Sequence, residues 1–309
     1  MIRPTSVIRV PKIFVSTPQL SEGERASSLN QKEFQRIHKN LSEQQSIDHN
    51  ISCLTLRPMA NSLPHDHITP FGEETAKKEQ VEKMFDNLAG RYDIMNRVLS
   101  AGIDIGWRKK AIGILKKDNP QQLLDVACGT GDMAIMAARM LKPQKITGID
   151  ISEQMLAVGK NKIEKEGLTE VIQLLKGDSE TINFPHNSFD AITVAFGVRN
   201  FETLENGIRE MLRVLRPGGR LIVLEFSKPK NAAIRKLYNL YMGIVAPRMA
   251  GLFSQDKKAY RYLNESAKAF PDRQLFIDIL NKTGFSDTSY KTLSLGICCI
   301  YSGKKPAYS

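Results

Sequence analysis

The alternation of apolar and polar positions changes character along this chain. In ETAKKEQVEKMFDNLAGRYDIMNRVLS (residues 74–100), Val81, Met84, Phe85 and Leu88 recur at helical spacing and predict one long amphipathic helix. A shorter helix is predicted over residues 107–115. Beyond it, short apolar runs alternate with helical patterns. QLLDVACG (122–129), KITGID (145–150), VIQLLKGD (171–178), FDAITVAFG (189–197) and GGRLIVLEFS (218–227) read as strands. Helices are predicted over residues 132–141, 152–166 and 203–215. Such repeated strand–helix–strand units imply a parallel sheet covered on both faces. After residue 227 the alternation stops. Residues 228–284 read as mainly helical, an insertion ahead of FSDTSYKTL (285–293) and LGICCIYSG (295–303). Those two strands lie close enough for a hairpin, so the last is expected to run antiparallel.

The first 70 residues follow neither rhythm. Residues 21–50 are polar with weak periodicity and predict a poorly ordered extension. Residues 1–20 hold Arg3, Arg9 and Lys12 and no acid, the composition of a mitochondrial transit peptide. Pro4, Pro11 and Pro18 would interrupt the helix such a peptide needs. The favoured reading is a start codon placed too early, with residues 1–58 as an extension and residues 59–309 as one domain. A genuine transit peptide would instead send the chain to the mitochondrial matrix.

Composition narrows the class. Of 309 residues, 41% are hydrophobic and 25% charged, as in a globular protein with a proper core. No apolar run approaches the ~18 residues of a spanning helix. The net charge of +11 permits an anionic partner without requiring one. The four cysteines, Cys53, Cys128, Cys298 and Cys299, form no C-x-x-C pair, so no metal site is expected. Cys298 and Cys299 are strand neighbours that should face opposite sides as small apolar fillers. Cys128 is likewise expected to be a filler, and Met133, Met136 and Met140 core residues.

Candidate chemistry concentrates in LLDVACGTGDMA (123–134). Gly129, Gly131 and Ala134 match the dinucleotide fingerprint. Asp125 and Asp132, however, flank the turn with negative charge. Two carboxylates beside a pyrophosphate would cost on the order of 4 kcal/mol per close pair. A cationic, phosphate-free ligand fits better, and S-adenosylmethionine carries a sulfonium and an ammonium. Asp150, 21 residues beyond Gly129, ends the second strand where an acid accepts from ribose hydroxyls. Asp178, at the end of the third, could accept from the adenine amine.

In order along the chain, LLDVACGTGD, ITGIDISEQMLAVG, LLKGDSETINFPHNSFDAITVAFGVRN and MLRVLRPGGRLIVLEFSKP resemble the class I S-adenosylmethionine methyltransferases. FDNLAGRYDIMNRVLSAGIDIGWRKKAI, FGVRNF, VAPRMAGLF and AYRYLNESAKAFPD narrow the resemblance to the quinone C-methyltransferases of menaquinone and ubiquinone biosynthesis, over roughly residues 68–305. The resemblance implies an α/β, Rossmann-like seven-stranded methyltransferase sheet with its last strand antiparallel and a helical insertion before the final hairpin. It implies Thr130, Asp150, Asp178 and Ser179 as cofactor contacts, with Gly129 and Gly131 shaping the turn, and Asp125 beneath the turn is counted with the cofactor-binding residues. Tyr92, Arg199 and Asn200 match the catalytic group. Ala195 and Asp178–Ser179 depart from the ubiquinone-pathway pattern and incline the expected substrate towards demethylmenaquinol.

That reaction methylates a ring carbon of a polyprenylated quinol. The ring must first become electron-rich by loss of a hydroxyl proton, and a phenol has a pKa near 10, so the site must favour the anion. A cation does this, and Arg199 is the candidate. Tyr92 and Asn200 could position the hydroxyl or a water. IRKLYNLYMGIVAPRMAGLF (234–253) reads as a cover for the polyprenyl tail, with Arg235, Lys236, Arg248, Lys257 and Lys258 suited to anionic lipid. A cytoplasmic enzyme, peripheral at the membrane and compatible with a homodimer, is expected. A benzoquinol precursor of ubiquinone is the alternative substrate. An RNA methyltransferase is more distant, because FGVRN stands where amino-group methylation of bases uses an Asn/Asp-Pro-Pro-aromatic loop, and no RNA-binding module or nucleic-acid partner is evident.

Overall fold

Seven strands join in one sheet in the order β3-β2-β1-β4-β5-β7-β6. They are β1 (Gln122–Val126), β2 (Lys145–Asp150), β3 (Ile172–Lys176), β4 (Phe189–Ala195), β5 (Leu215–Phe226), β6 (Ser286–Leu293) and β7 (Cys298–Lys304). The first five pair in parallel, and β7 runs antiparallel to both β5 and β6. The computed structural model describes residues 63–72, 74–100, 102–241 and 257–307. The expectations for residues 1–58 and for residues 242–253 of the cover lie outside these. Within the described part, residues 63–307 belong to one compact unit, Asn61–Ser309.

Strand alternation divides the core between the two faces of the sheet. Leu124, Val126, Ile192, Val194, Leu221 and Val223 pack on one side. They meet α6 (Leu204–Val214) and α9 (Gln274–Thr283) there. Leu123, Ile146, Ala191, Ile222 and Leu224 pack on the other, against α3 (Ile103–Leu115), α4 (Asp132–Leu141) and α5 (Glu153–Lys165). The paired cysteines follow the same rule: Cys298 joins the second cluster and Cys299 the first. Cys128 and Met133 are buried in the second cluster as well, with Met136 and Met140 partly buried against it.

The predicted helix over residues 74–100 is broken. It forms α1 (Lys77–Leu88), a 3-10 turn (Ala89–Arg91) and α2 (Tyr92–Leu99). Gly90 sits in the turn, where a glycine weakens helix continuation. The insertion contains α7 (Ala232–Leu240) and α8 (Lys257–Ala269) before α9. Among the described residues no helix is long and apolar enough to cross a membrane.

Candidate active site

In an open α/β sheet, ligands bind beyond the carboxyl ends of the strands, at the switch in strand order. Here that point lies between β1 and β4. The chain leaves β1 through a turn in which Ala127, Gly129 and Gly131 all have positive φ, at 52°, 55° and 78°. Glycine tolerates this conformation and side-chain-bearing residues resist it, which accounts for two of the three positions. Cys128 donates its amide to Ile149 O (3.0 Å) and Gly131 donates to Cys128 O (2.9 Å), closing the turn onto β2.

A cleft of about 640 Å³, counting the space open to solvent, runs from this turn to the end of β4. That is within the range of small-molecule sites. Gly129, Asp150, Asp178, Ser179, Tyr92 and Asn200 line it together. Asp150 accepts the Gly129 amide at Oδ2 (2.8 Å) and the Ser152 amide at Oδ1 (2.9 Å). Burial pushes its carboxyl up to about 6, against the pull of those two amides. Asp178 accepts from Lys78 Nζ (2.5 Å) and from the Glu180 amide (2.9 Å). Lys78, Val81 and Phe85 of α1 form the opposite wall.

Four other expected residues lie behind the lining. Asp125 is 1% exposed, accepts from Thr193 Oγ1 (2.7 Å), and is pushed by burial up to about 7. Thr130 donates its hydroxyl to Asp93 Oδ1 (2.6 Å). A side chain at Gly131 would face Ile163 and Leu174, away from the cleft. Arg199 is 5% exposed and pairs with Glu225 Oε1 (2.5 Å).

Contrary to expectation, Asp125 and Asp132 do not supply the negative charge that faces the ligand site. Asp132 is claimed by Arg97 Nη2 (2.6 Å) and Lys162 Nζ (2.5 Å), and it does not line the cleft. Burial alone would raise its carboxyl, yet Lys162, Arg108 and Arg97 hold it below the usual range. It ties α2 and α5 to the start of α4. The acids that do face the cleft are Asp150, Asp178, Glu180 and Glu202, and the one cation among the described lining residues, Lys78, is already paired with Asp178. A pyrophosphate would meet that acidic wall, whereas a sulfonium with an ammonium is attracted to it. The Asp150 carboxylate, which can accept about four hydrogen bonds, has room for ribose hydroxyls beside its backbone amides. The residues present therefore fit S-adenosylmethionine.

At the far end, β4 turns at Phe196, a bulky residue at φ 61°. Phe196 O accepts from Arg199 Nη1 (3.1 Å) and from Asn200 Nδ2 (3.4 Å). Tyr262 of α8, 1% exposed, donates its hydroxyl to Asn200 Oδ1 (3.1 Å). Burial raises the pKa of the phenols of Tyr92 and Tyr262, and the positive charge of Arg199 opposes that rise at both. Both hydroxyls are thus protonated at neutral pH. Lys78, Tyr262 and Glu225 went unnoticed in the sequence. Only Glu225 had a signal, as a lone acid inside the apolar strand LIVLEF.

Comparison with known proteins shows the family. Residues 73–305 match the model of the ubiE/COQ5 methyltransferase family, and the chain belongs to that family. It is 46% identical over 244 residues to the demethylmenaquinone methyltransferase of Bacteroides fragilis, covering 79% of this chain and 100% of that one. It is 41% identical over 232 residues to the ubiquinone/menaquinone biosynthesis C-methyltransferase UbiE of Geobacter sulfurreducens, covering 75% and 90%. Among solved structures, a SAM-dependent methyltransferase of Thermotoga maritima shares the fold at 18% identity and a TM-score of 0.53, covering 72% and 99%. The [4+2]-cyclase SpnF shares it at 19% identity and a TM-score of 0.52, covering 74% and 96%. The sheet alone thus serves more than one chemistry, and family membership makes this chain an S-adenosylmethionine-dependent methyltransferase.

Proposed function

We propose that this chain methylates a ring carbon of a polyprenylated quinol, converting demethylmenaquinol to menaquinol. The observation that carries the mechanism is the reach of Arg199. From behind the lining, its charge opposes the burial that raises the pKa of two phenols, Tyr92 on the cleft wall and Tyr262 beside Asn200. A quinol hydroxyl placed there would feel the same positive charge, which opposes the rise in its pKa that burial causes and so eases loss of its proton.

S-adenosylmethionine, when bound, supplies an electrophilic methyl group on a cationic sulfur. Asp150, Asp178 and Ser179 would hold its adenosyl part, and Glu180 and Glu202 add negative potential. Thr130, Gly131 and Asp125 keep the turn in shape from behind. Tyr92 and Asn200 orient the quinol hydroxyl, directly or through a water. Passage of that hydroxyl proton to solvent makes the adjacent ring carbon nucleophilic. A carbon–carbon bond then forms as the carbon–sulfur bond breaks, and the ring carbon gives up its hydrogen as a proton. In-line positioning of the two reacting centres accounts for much of the remaining rate.

The substrate test supplies labelled S-adenosylmethionine with demethylmenaquinol and with the methoxy-benzoquinol precursor of ubiquinone in parallel. Label should enter the naphthoquinol, and transfer to the benzoquinol alone would overturn the reading. Arg199→Ala should lose turnover while keeping cofactor affinity. Wild-type values in both titration calorimetry and methyl transfer would remove Arg199 from the mechanism. The tail of such a substrate resides in lipid, so a cytoplasmic enzyme must meet the bilayer. On α7, Arg235 and Lys236 are exposed and Leu240 is 54% exposed, which suits contact with an anionic surface. Absence of flotation with anionic liposomes would exclude that contact.

A further inference from the structure

Arg199 owes its place to a residue with no role so far. Glu225 is 0% exposed, near the end of β5, and pairs with Arg199 Nη1. Its Oε1 also accepts the Phe226 amide (2.8 Å). Glu225 Oε2 and Arg199 Nε are both buried and find no hydrogen-bond partner among the described residues. A pair kept for stability alone would normally satisfy those atoms, because each orphan leaves its desolvation uncompensated. The pair is also fixed from the side. Arg108 Cζ lies 5.2 Å from the Phe196 ring, Phe196 and Phe226 are 4.7 Å apart, and Arg199 Cζ lies 5.2 Å from the Phe226 ring. Phe196 lines the cleft, so this column connects the buried pair to the substrate end.

We propose that Glu225 is a positioning residue for methyl transfer: it holds the Arg199 guanidinium behind Phe196 and sets how much positive charge reaches the quinol hydroxyl. Full neutralisation would leave the hydroxyl protonated, and an unpaired guanidinium would leave a bare charge in the core. The pair gives an intermediate field, directed from β5 towards the cleft. The inference rests on the role given to Arg199 above.

The groups facing this pair are few. Tyr92 from α2 and Tyr262 from α8 feel the charge of Arg199, and Cys298 from β7 feels that of Glu225. Arg108 from α3 stands on the far side of the Phe196 ring. Burial raises the pKa of Glu225, Arg199 opposes that rise, and Arg199 itself is held protonated chiefly by Glu225 against its burial.

The test is the pH profile of kcat on the full chain, with short-tailed demethylmenaquinol kept reduced. Glu225→Gln keeps an acceptor for Arg199 and removes only the charge. The acid limb of kcat should move to lower pH by about one unit, as expected for losing one opposing neighbour. A limb that stays in place, or moves to higher pH, overturns the proposal. Glu225→Asp keeps the charge and should keep the wild-type limb at reduced kcat. Arg199→Met with Glu225→Leu replaces the pair by apolar groups, a change buried pairs often tolerate, so it reads the same point if Glu225→Gln does not fold. Its limb should move to higher pH, and a wild-type limb there also overturns the proposal. Arg199→Met alone separates the two ideas. If it leaves the limb unmoved, the role of Arg199 fails. If it moves the limb while Glu225→Gln does not, only the role of Glu225 fails.

Discussion

Asp150 carries most of the expected cofactor recognition, and its protonation sets when it can act. Burial raises its carboxyl to about 6, against the pull of neighbouring backbone amides. Only the ionised form has lone pairs free on both oxygens for the ribose hydroxyls. Affinity for S-adenosylmethionine should therefore be full above pH 7 and fall as pH drops through about 6, approaching tenfold per unit below it. Asp150→Asn should bind about ten to a hundred times more weakly at pH 8, the loss of a hydrogen bond to a charged group, and should show no such pH dependence. Titration calorimetry between pH 5 and 8 reads both, and an unchanged affinity in the variant would exclude the contact. Asp132→Asn should leave affinity nearly intact, because Asp132 serves Arg97 and Lys162. At this scale the sequence located residues better than it oriented them. Asp150 and Asp178, expected at strand ends, do face the cleft, as does Asn200, whereas Asp125 and Arg199, expected in the same site, stand behind it. Position along a strand says how near a residue lies to the switch point, not what its side chain meets once the neighbouring elements pack.

Helix α5 approaches the glycine turn closely at Gly159, where a side chain would force its neighbours to shift. A Cβ there would stand 2.6 Å from Leu174 Cδ1 and 3.1 Å from the Thr130 carbonyl carbon. Gly159→Ala should cost about 1–3 kcal/mol by overpacking. It should also weaken cofactor binding severalfold, because Thr130 lies next to Gly129 and the turn must give way. Gly113→Ala on α3 is the control: nothing lies within 4 Å of its Cβ, so it should be neutral or stabilising by up to about 1 kcal/mol. Urea denaturation separates them, and equal stability for both variants would remove the close approach as a constraint. Elements of this kind were the most legible part of the chain. The strands β1 to β5 and their helices follow from periodicity, and the reversed last strand from the short connection before it. The break at residues 89–91 did not, because Val81, Met84, Phe85, Leu88 and Met95 keep an apolar rhythm across it. What the break accomplishes is tertiary: α1 brings Lys78, Val81 and Phe85 to one wall of the cleft while α2 brings Tyr92 to the turn.

For the whole molecule, acid should loosen the segment that precedes α1. The 3-10 turn Pro64–His67 buries His65 completely, edge-on to Phe270 with centroids 6.2 Å apart. His65 Nε2 is 3.2 Å from Asp66 Oδ1 but without hydrogen-bonding geometry. Burial lowers the His65 pKa to about 3, helped by the charge of Lys77, whose Nζ donates to His65 O (2.9 Å). Between the ordinary value of 6.5 and about 3, the unfolded chain holds a proton here that the folded chain does not. Stability from this site is then full above pH 6.5 and falls by about 1.4 kcal/mol per unit below it, or about 2 kcal/mol by pH 5. Asp125 works in the opposite sense. Its folded value of about 7 lies above the usual 3.8, so the folded chain binds more protons in between and gains stability as pH falls. Asp150, raised to about 6, adds to the contribution of Asp125, and both oppose that of His65 in wild type. Substitution separates them. His65→Phe should gain about 2 kcal/mol relative to wild type on going from pH 7.5 to pH 5, and Asp125→Asn should lose relative to wild type over the same range. Denaturation curves at the two pH values give each difference directly, and a His65→Phe difference independent of pH would mean that the imidazole is already solvated in the folded protein.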